Sequence, residues 1–62
     1  MSQQRQLREY ELVRMMLVDP RLLHAEYVSV LGQPSEPLTD RQMVAAILER
    51  EFPHIEELEN SH

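Results

Sequence analysis

An Asp-Pro pair inside the apolar stretch 12–23 constrains the fold of this chain more than any other feature of its sequence. Pro20 disfavours helical geometry at the residue before it. Asp19 is a good N-cap residue, and proline suits the first position of a helix. The pair therefore predicts that one helix ends at Val18 and that a second helix begins at Pro20. The alternative is a single helix that is kinked at Pro20.

Two further signals set the ends of the second and third helices. Gly32 is the expected left-handed C-terminal residue of the second helix, and Pro34 prevents its continuation. Thr39 and Gln42 have the spacing of a capping box, which places a helix start at Asp40. Leu38 before this cap and Met43 after it form the pattern of a hydrophobic staple.

The sequence therefore predicts an all-α fold made of a small helical bundle in a single domain. Phe52-Pro53 ends the third helix by the same rule as at Pro20. The predicted elements are three main helices, about residues 3–18, 20–31 and 40–51, and a short C-terminal helical turn over 53–59. We expect the domain to cover residues 1–62, with residues 1–5 and 60–62 frayed.

The first helix carries apolar residues on every side. Leu7, Tyr10, Val13 and Leu17 form an ordinary amphipathic stripe, and the remaining apolar residues lie on the other sides. A helix that is apolar all round is buried all round, and one neighbouring helix cannot cover it. We therefore expect an interface with a second copy or a partner, formed by Leu12, Met15, Met16, Val18, Leu22 and Tyr27. The alternative is a crowded monomer core that exposes one or two methionines.

Length and charge support association with other chains. A single core of fewer than about 70–80 residues rarely supplies more than ~3–5 kcal/mol, and this 62-residue chain has no cysteine for disulfides. We therefore expect a homodimer. The net charge is −5, and the whole deficit lies in residues 32–62. The acidic side chains Glu49, Glu51, Glu56, Glu57 and Glu59 predict a surface that faces a protein partner with a basic surface.

Several classes of function are disfavoured by the sequence. The chain shows no nucleophile and base at catalytic spacing, its histidines lack ligand spacing, and its single glycine excludes a phosphate-binding loop. We expect no enzyme activity, no metal and no cofactor. Nucleic-acid binding is disfavoured by the negative charge and by a connection longer than the turn of a helix-turn-helix motif. No stretch approaches the ~18 apolar residues of a membrane span, so we expect a soluble, cytoplasmic protein.

Two short stretches resemble parts of bacterial replication proteins. Residues 12–23, with an apolar run leading into Asp19-Pro20 and then Leu22-Leu23, resemble the opening helices of the modules by which replicative helicase and primase meet. Residues 49–53 are similar to a stretch in the small theta subunit of bacterial polymerase. Neither resemblance covers the fold, and neither implies a role for a particular residue.

The function expected from the sequence is a non-catalytic protein–protein interaction module. We expect a small bacterial or phage regulator that homodimerises and binds a larger protein. One alternative is a structural accessory subunit of a larger complex, for example in replication. The other alternative is a small nucleic-acid-binding protein or a mimic of DNA.

Overall fold

The computed structural model describes residues 3–53, and all regular structure in this range is helical. The helices are α1 (Gln3–Val18), α2 (Pro20–Leu31) and α3 (Asp40–Glu51). This confirms the predicted all-α class and the bounds of the three main helices. Residues 3–5, which were expected to fray, belong to the first turn of α1. The predicted C-terminal turn lies outside the described residues apart from Pro53.

Asp19 separates α1 from α2, so the chain has two helices here and not one kinked helix. The backbone of Asp19 is extended, with φ −166° and ψ 112°. Its N–H still donates to the Met15 carbonyl at 2.9 Å and completes the last turn of α1. Its carboxylate accepts the Arg21 backbone N–H at 3.0 Å and so caps α2. One residue therefore ends one helix and starts the next.

The start of α3 confirms the predicted capping box. The Thr39 hydroxyl accepts the Gln42 backbone N–H at 3.1 Å, and the Gln42 side-chain oxygen accepts the Thr39 N–H at 2.9 Å. Leu38 packs against the core cluster that contains Met43, as expected of a staple. At the C-terminal end of α3, the N–H of Phe52 donates to the Leu48 carbonyl at 2.7 Å. Phe52 directly precedes Pro53 in the chain.

Gly32 ends α2 with a positive φ, but it does not adopt the left-handed helical conformation that the sequence predicted. Its φ is +90°, and its ψ of −177° is extended and lies outside the left-handed helical region. This combination is open almost only to glycine. A Cβ atom on Gly32 would meet nothing within 4 Å, so the requirement for glycine is one of backbone conformation and not of space.

The core lies where all three helices meet, and α3 supplies most of it. Among residues 3–53, α1 and α2 each contribute one buried apolar side chain, and α3 contributes four. The buried residues are Leu12, Leu23, Met43, Val44, Ile47 and Leu48. Each helix contacts the other two. The apolar face of α3 therefore forms one core cluster with Leu12 of α1 and Leu23 of α2.

The side of α1 that faces the core differs from the predicted stripe. Leu12 is fully buried, whereas Leu7, Tyr10 and Leu17 are largely exposed. Leu12 lies about half a turn away from Tyr10 and Leu17 on the helix. Both sides of α1 carry apolar residues, so their spacing does not decide which side is buried. Packing against α2 and α3 buries Leu12.

Candidate protein interaction surface

Arg8 joins α1 to both of the other helices through carboxylates. Its Nε and Nη2 atoms donate to the two oxygens of Glu51 in α3, at 2.8 and 3.0 Å. Nη2 also donates to Glu26 in α2 at 2.5 Å, and Nη1 donates to Glu11 in α1 at 2.8 Å. The Arg8 side chain is only 18% exposed. One guanidinium group therefore connects all three helices.

The surrounding carboxylates stabilise the protonated, charged form of Arg8. The hydrogen bonds with Glu51 and then with Glu26 raise the pKa of Arg8 above its ordinary value, and partial burial acts in the opposite direction. Charge-assisted hydrogen bonds of this kind are stronger than neutral ones. Arg8 and Leu12 are one helical turn apart, so both hold the same side of α1 against α2 and α3.

The opposite side of α1 consequently exposes large apolar side chains. Leu17 is 75% exposed, Val18 72%, Leu7 66% and Tyr10 65%. Leu22 at the start of α2 adds to them at 48%. Scattered apolar residues are normal on a protein surface, but a contiguous apolar surface is typical of an interaction site. We call these five side chains the outer apolar face.

An open groove of about 670 Å³ runs along part of the outer apolar face. Its lining includes Leu7, Tyr10, Glu11, Arg14, Val18 and Leu22. Glu11 and Arg14 place one negative and one positive charge between the apolar residues. The groove therefore combines apolar contact area with charges that can fix the position of a partner.

The residues predicted as an interface occupy three different environments. Leu12 is fully buried in the core of the chain, so it is not part of any free surface, and its placement there is a correction to the prediction. Met15, Met16 and Tyr27 are partly buried and pack against the core. Val18 and Leu22 belong to the outer apolar face.

The predicted acidic surface is only partly described. The Glu51 side chain pairs with Arg8 within the chain and is 29% exposed, so it faces inward more than predicted. Glu49 is exposed and also has a partner within the chain. Glu56, Glu57 and Glu59 lie outside the described residues.

The interface predicted from the sequence did not include Leu7, Tyr10 and Leu17, because these residues were interpreted as an ordinary amphipathic stripe. A partial signal was available in Arg8, which lies one turn before Leu12 and has acidic residues in reach on other helices. An arginine that must meet partners across the bundle marks the inner side of its helix. The sequence does not reveal those partners, since they are 18 and 43 positions away.

Within residues 3–53, no cluster of three or more histidine and acidic side chains could hold a metal ion. In the same range no helix combines the length and apolar character needed to cross a bilayer.

In comparisons with known proteins, no family model, no curated protein and no solved structure matches the chain.

Proposed function

We propose that this protein is a non-catalytic protein–protein interaction module that acts through the outer apolar face. In this proposal it is a small cytoplasmic regulator, which homodimerises and binds a larger protein. The observation that carries the proposal is the exposure of Leu7, Tyr10, Leu17 and Val18 on one side of a helix whose other side is anchored in the core.

The energetics of a small domain support this proposal. Fully burying a large apolar side chain contributes about 1.5–3 kcal/mol. Covering several residues of the outer apolar face would therefore contribute as much as the ~3–5 kcal/mol expected from the core itself. A chain that leaves this area in water gains stability by association.

The proposal is tested by measuring molar mass with light scattering over a hundredfold dilution of the full chain. We expect a dimer that dissociates on dilution, and Val18→Glu should shift the dissociation to higher concentration. Val18 is a suitable position because it is 72% exposed, so a charge there does not disturb the core. Met16 is unsuitable, since it packs against the core.

A control variant separates the outer apolar face from surface charge in general. Ala45→Glu places the same charge on the exposed side of α3, where no association is proposed. We expect this variant to dimerise like the unaltered chain. A monomer at every concentration, or equal effects of both substitutions, would contradict the proposal.

Binding of a larger partner is proposed from charge. The net charge of −5 arises entirely in residues 32–62, and an acidic region favours capture by a basic surface. Reversing Glu56 and Glu57 to arginine should lower the affinity for that partner, most strongly at low ionic strength. An affinity that is unchanged by the reversals at low and high salt would refute the basic partner.

A further inference from the structure

The groove on α1 is lined by residues that complement one another when two copies of the helix lie antiparallel. Around a two-fold axis level with the peptide bond between Leu12 and Val13, Leu7 of one copy faces Val18 of the other. Glu11 then faces Arg14. All four of these residues line the groove. A two-fold interface requires such self-complementarity, because each copy presents the same surface to the other.

We infer that the groove binds a second copy of this chain, with the two α1 helices antiparallel and Glu11 of each copy paired with Arg14 of the other. This inference rests on the proposed function and specifies its partner and its register. The structure supports it through the spacing, the charge and the accessibility of the residues involved.

The spacing of the central residues is that of a helix–helix seam. Leu7, Glu11, Arg14 and Val18 follow one another at intervals of four, three and four residues. This is the average period of 3.5 residues at which two helices contact each other along their length. In the antiparallel arrangement the apolar pairs lie at the ends of the seam and the charged pairs at its centre.

Charge complementarity determines the register. With Glu11 facing Arg14, the two-fold axis creates two equivalent ion pairs between the copies. A parallel pair in register would instead place Glu11 against Glu11 and Arg14 against Arg14, which is unfavourable. Polar residues in an otherwise apolar seam commonly specify orientation and register in this way.

Both charged groups are accessible to a second chain. The Glu11 side chain is 58% exposed, and its contact with Arg8 uses only the Oε1 atom. Arg14 is exposed, and none of residues 3–53 forms an ion pair or a hydrogen bond with its side chain. The proposed pairs therefore break no contact that these two side chains make within residues 3–53.

A competing antiparallel register places the two-fold axis level with Leu12. Leu7 would then face Leu17, and Tyr10 would face Arg14, so the Glu11–Arg14 pairs would not form. Val18 and Leu17 are similarly exposed, and exposure therefore does not separate the two registers. Exchanging the charges at Glu11 and Arg14 does distinguish the two registers, because only one of them pairs these residues.

The decisive experiment mixes two charge variants of the full chain, Glu11→Arg and Arg14→Glu. Each variant alone should dimerise about tenfold or more weakly, because the two-fold axis brings like charges together twice. In an equimolar mixture the heterodimer contains two opposite-charge pairs, so association should return to near the level of the unaltered chain. Native mass spectrometry separates homodimers from the heterodimer.

A second pair of variants tests the same register without changing Arg8 or its partners Glu11, Glu26 and Glu51, which together form the Arg8 cluster. Leu7→Lys and Val18→Glu should each weaken the dimer, and their mixture should form a heterodimer with a new ion pair at one end. Both positions are largely exposed, so neither substitution is expected to unfold the monomer. Far-UV circular dichroism checks the helix content of all four variants.

The outcomes distinguish this inference from the proposed function. If the unaltered chain dimerises but neither mixture recovers association, the register is wrong while the interaction module stands. If the unaltered chain does not dimerise at any concentration, both the homodimer and its register are overturned. Recovery in both mixtures supports the antiparallel pair that we infer.

Discussion

Arg8 connects three helices through a single side chain, so its removal should be more costly than that of an ordinary surface arginine. Arg8→Met keeps much of the aliphatic length and leaves Glu26 and Glu51, which are 28% and 29% exposed, without their cation. We expect the free energy of unfolding to fall by about 1–2 kcal/mol, less than for a fully buried pair because water screens these carboxylates. Urea denaturation measures this change.

Arg21→Met is the matched control for Arg8→Met. The Arg21 side chain also forms an ion pair, with Asp19 at 2.8 Å, but it is 90% exposed and reaches no other helix. The same substitution should therefore leave the urea midpoint essentially unchanged. Equal losses of unfolding free energy for the two variants would show that the connection between helices at Arg8 does not stabilise the fold.

The cap of α2 predicts a specific pH dependence. The side-chain hydrogen bond from Arg21, followed by the Arg21 backbone N–H, lowers the pKa of the Asp19 carboxyl below its ordinary value of 3.8. Because the pKa of Asp19 is lower in the folded state than in the unfolded state, the ionised carboxylate stabilises the fold above about pH 4. This stabilisation is lost as the pH falls through the folded-state pKa. NMR titration of the Asp19 side-chain carbon should give a midpoint below 3.8.

Substitution of Arg21 separates the two causes of this pKa shift. Arg21→Met removes the guanidinium but keeps the backbone N–H that Asp19 accepts. We expect the titration midpoint of Asp19 to rise part of the way toward its ordinary value. A midpoint that does not move would assign the whole shift to the backbone cap.

At the level of single elements, the best-defined helix start is that of α3. Thr39→Ala removes the hydroxyl that accepts the Gln42 N–H and breaks the reciprocal cap. The expected loss is about 1 kcal/mol in the free energy of unfolding, measured by thermal or urea denaturation. Ser35→Ala in the preceding loop is the control, and it should change stability by less than about 0.5 kcal/mol. Similar small effects of both substitutions would contradict the role of the capping box.

The helix bounds were predictable because each depends on residues close in the chain. The Asp19 cap acts on a residue two positions away, and the Thr39 cap on one three positions away. Proline and glycine act through their own backbone preferences at Pro20, Gly32 and Pro53. Such signals do not need the rest of the molecule to be known.

At the level of the whole molecule, α1 contributes few fully buried side chains for its length. It has 16 residues but only one fully buried side chain, Leu12, together with the Arg8 cluster. Leu12→Ala should therefore cost about 2–5 kcal/mol. This loss is comparable to the total stability expected of a core this small, so the variant should be largely unfolded at room temperature.

Leu17→Ala is the control on the same helix, because Leu17 is 75% exposed. At concentrations where the chain is monomeric, this variant should change stability by no more than about 0.5 kcal/mol. The pair is compared by circular dichroism during urea unfolding. A larger loss for Leu17→Ala than for Leu12→Ala would mean that α1 packs with the opposite side inward.

The sequence by itself determined the all-α class and the places where its three main helices begin and end, since local capping chemistry is sufficient for both. Only the tertiary structure decided which side of α1 is buried. Both sides carry apolar residues, and the choice depends on how Leu12 packs with α2 and α3 in the core cluster and on how Arg8 reaches Glu26 and Glu51. These contacts join positions far apart in the chain, and no local pattern encodes them. The outer apolar face follows from that choice, and so does the surface that we propose for association.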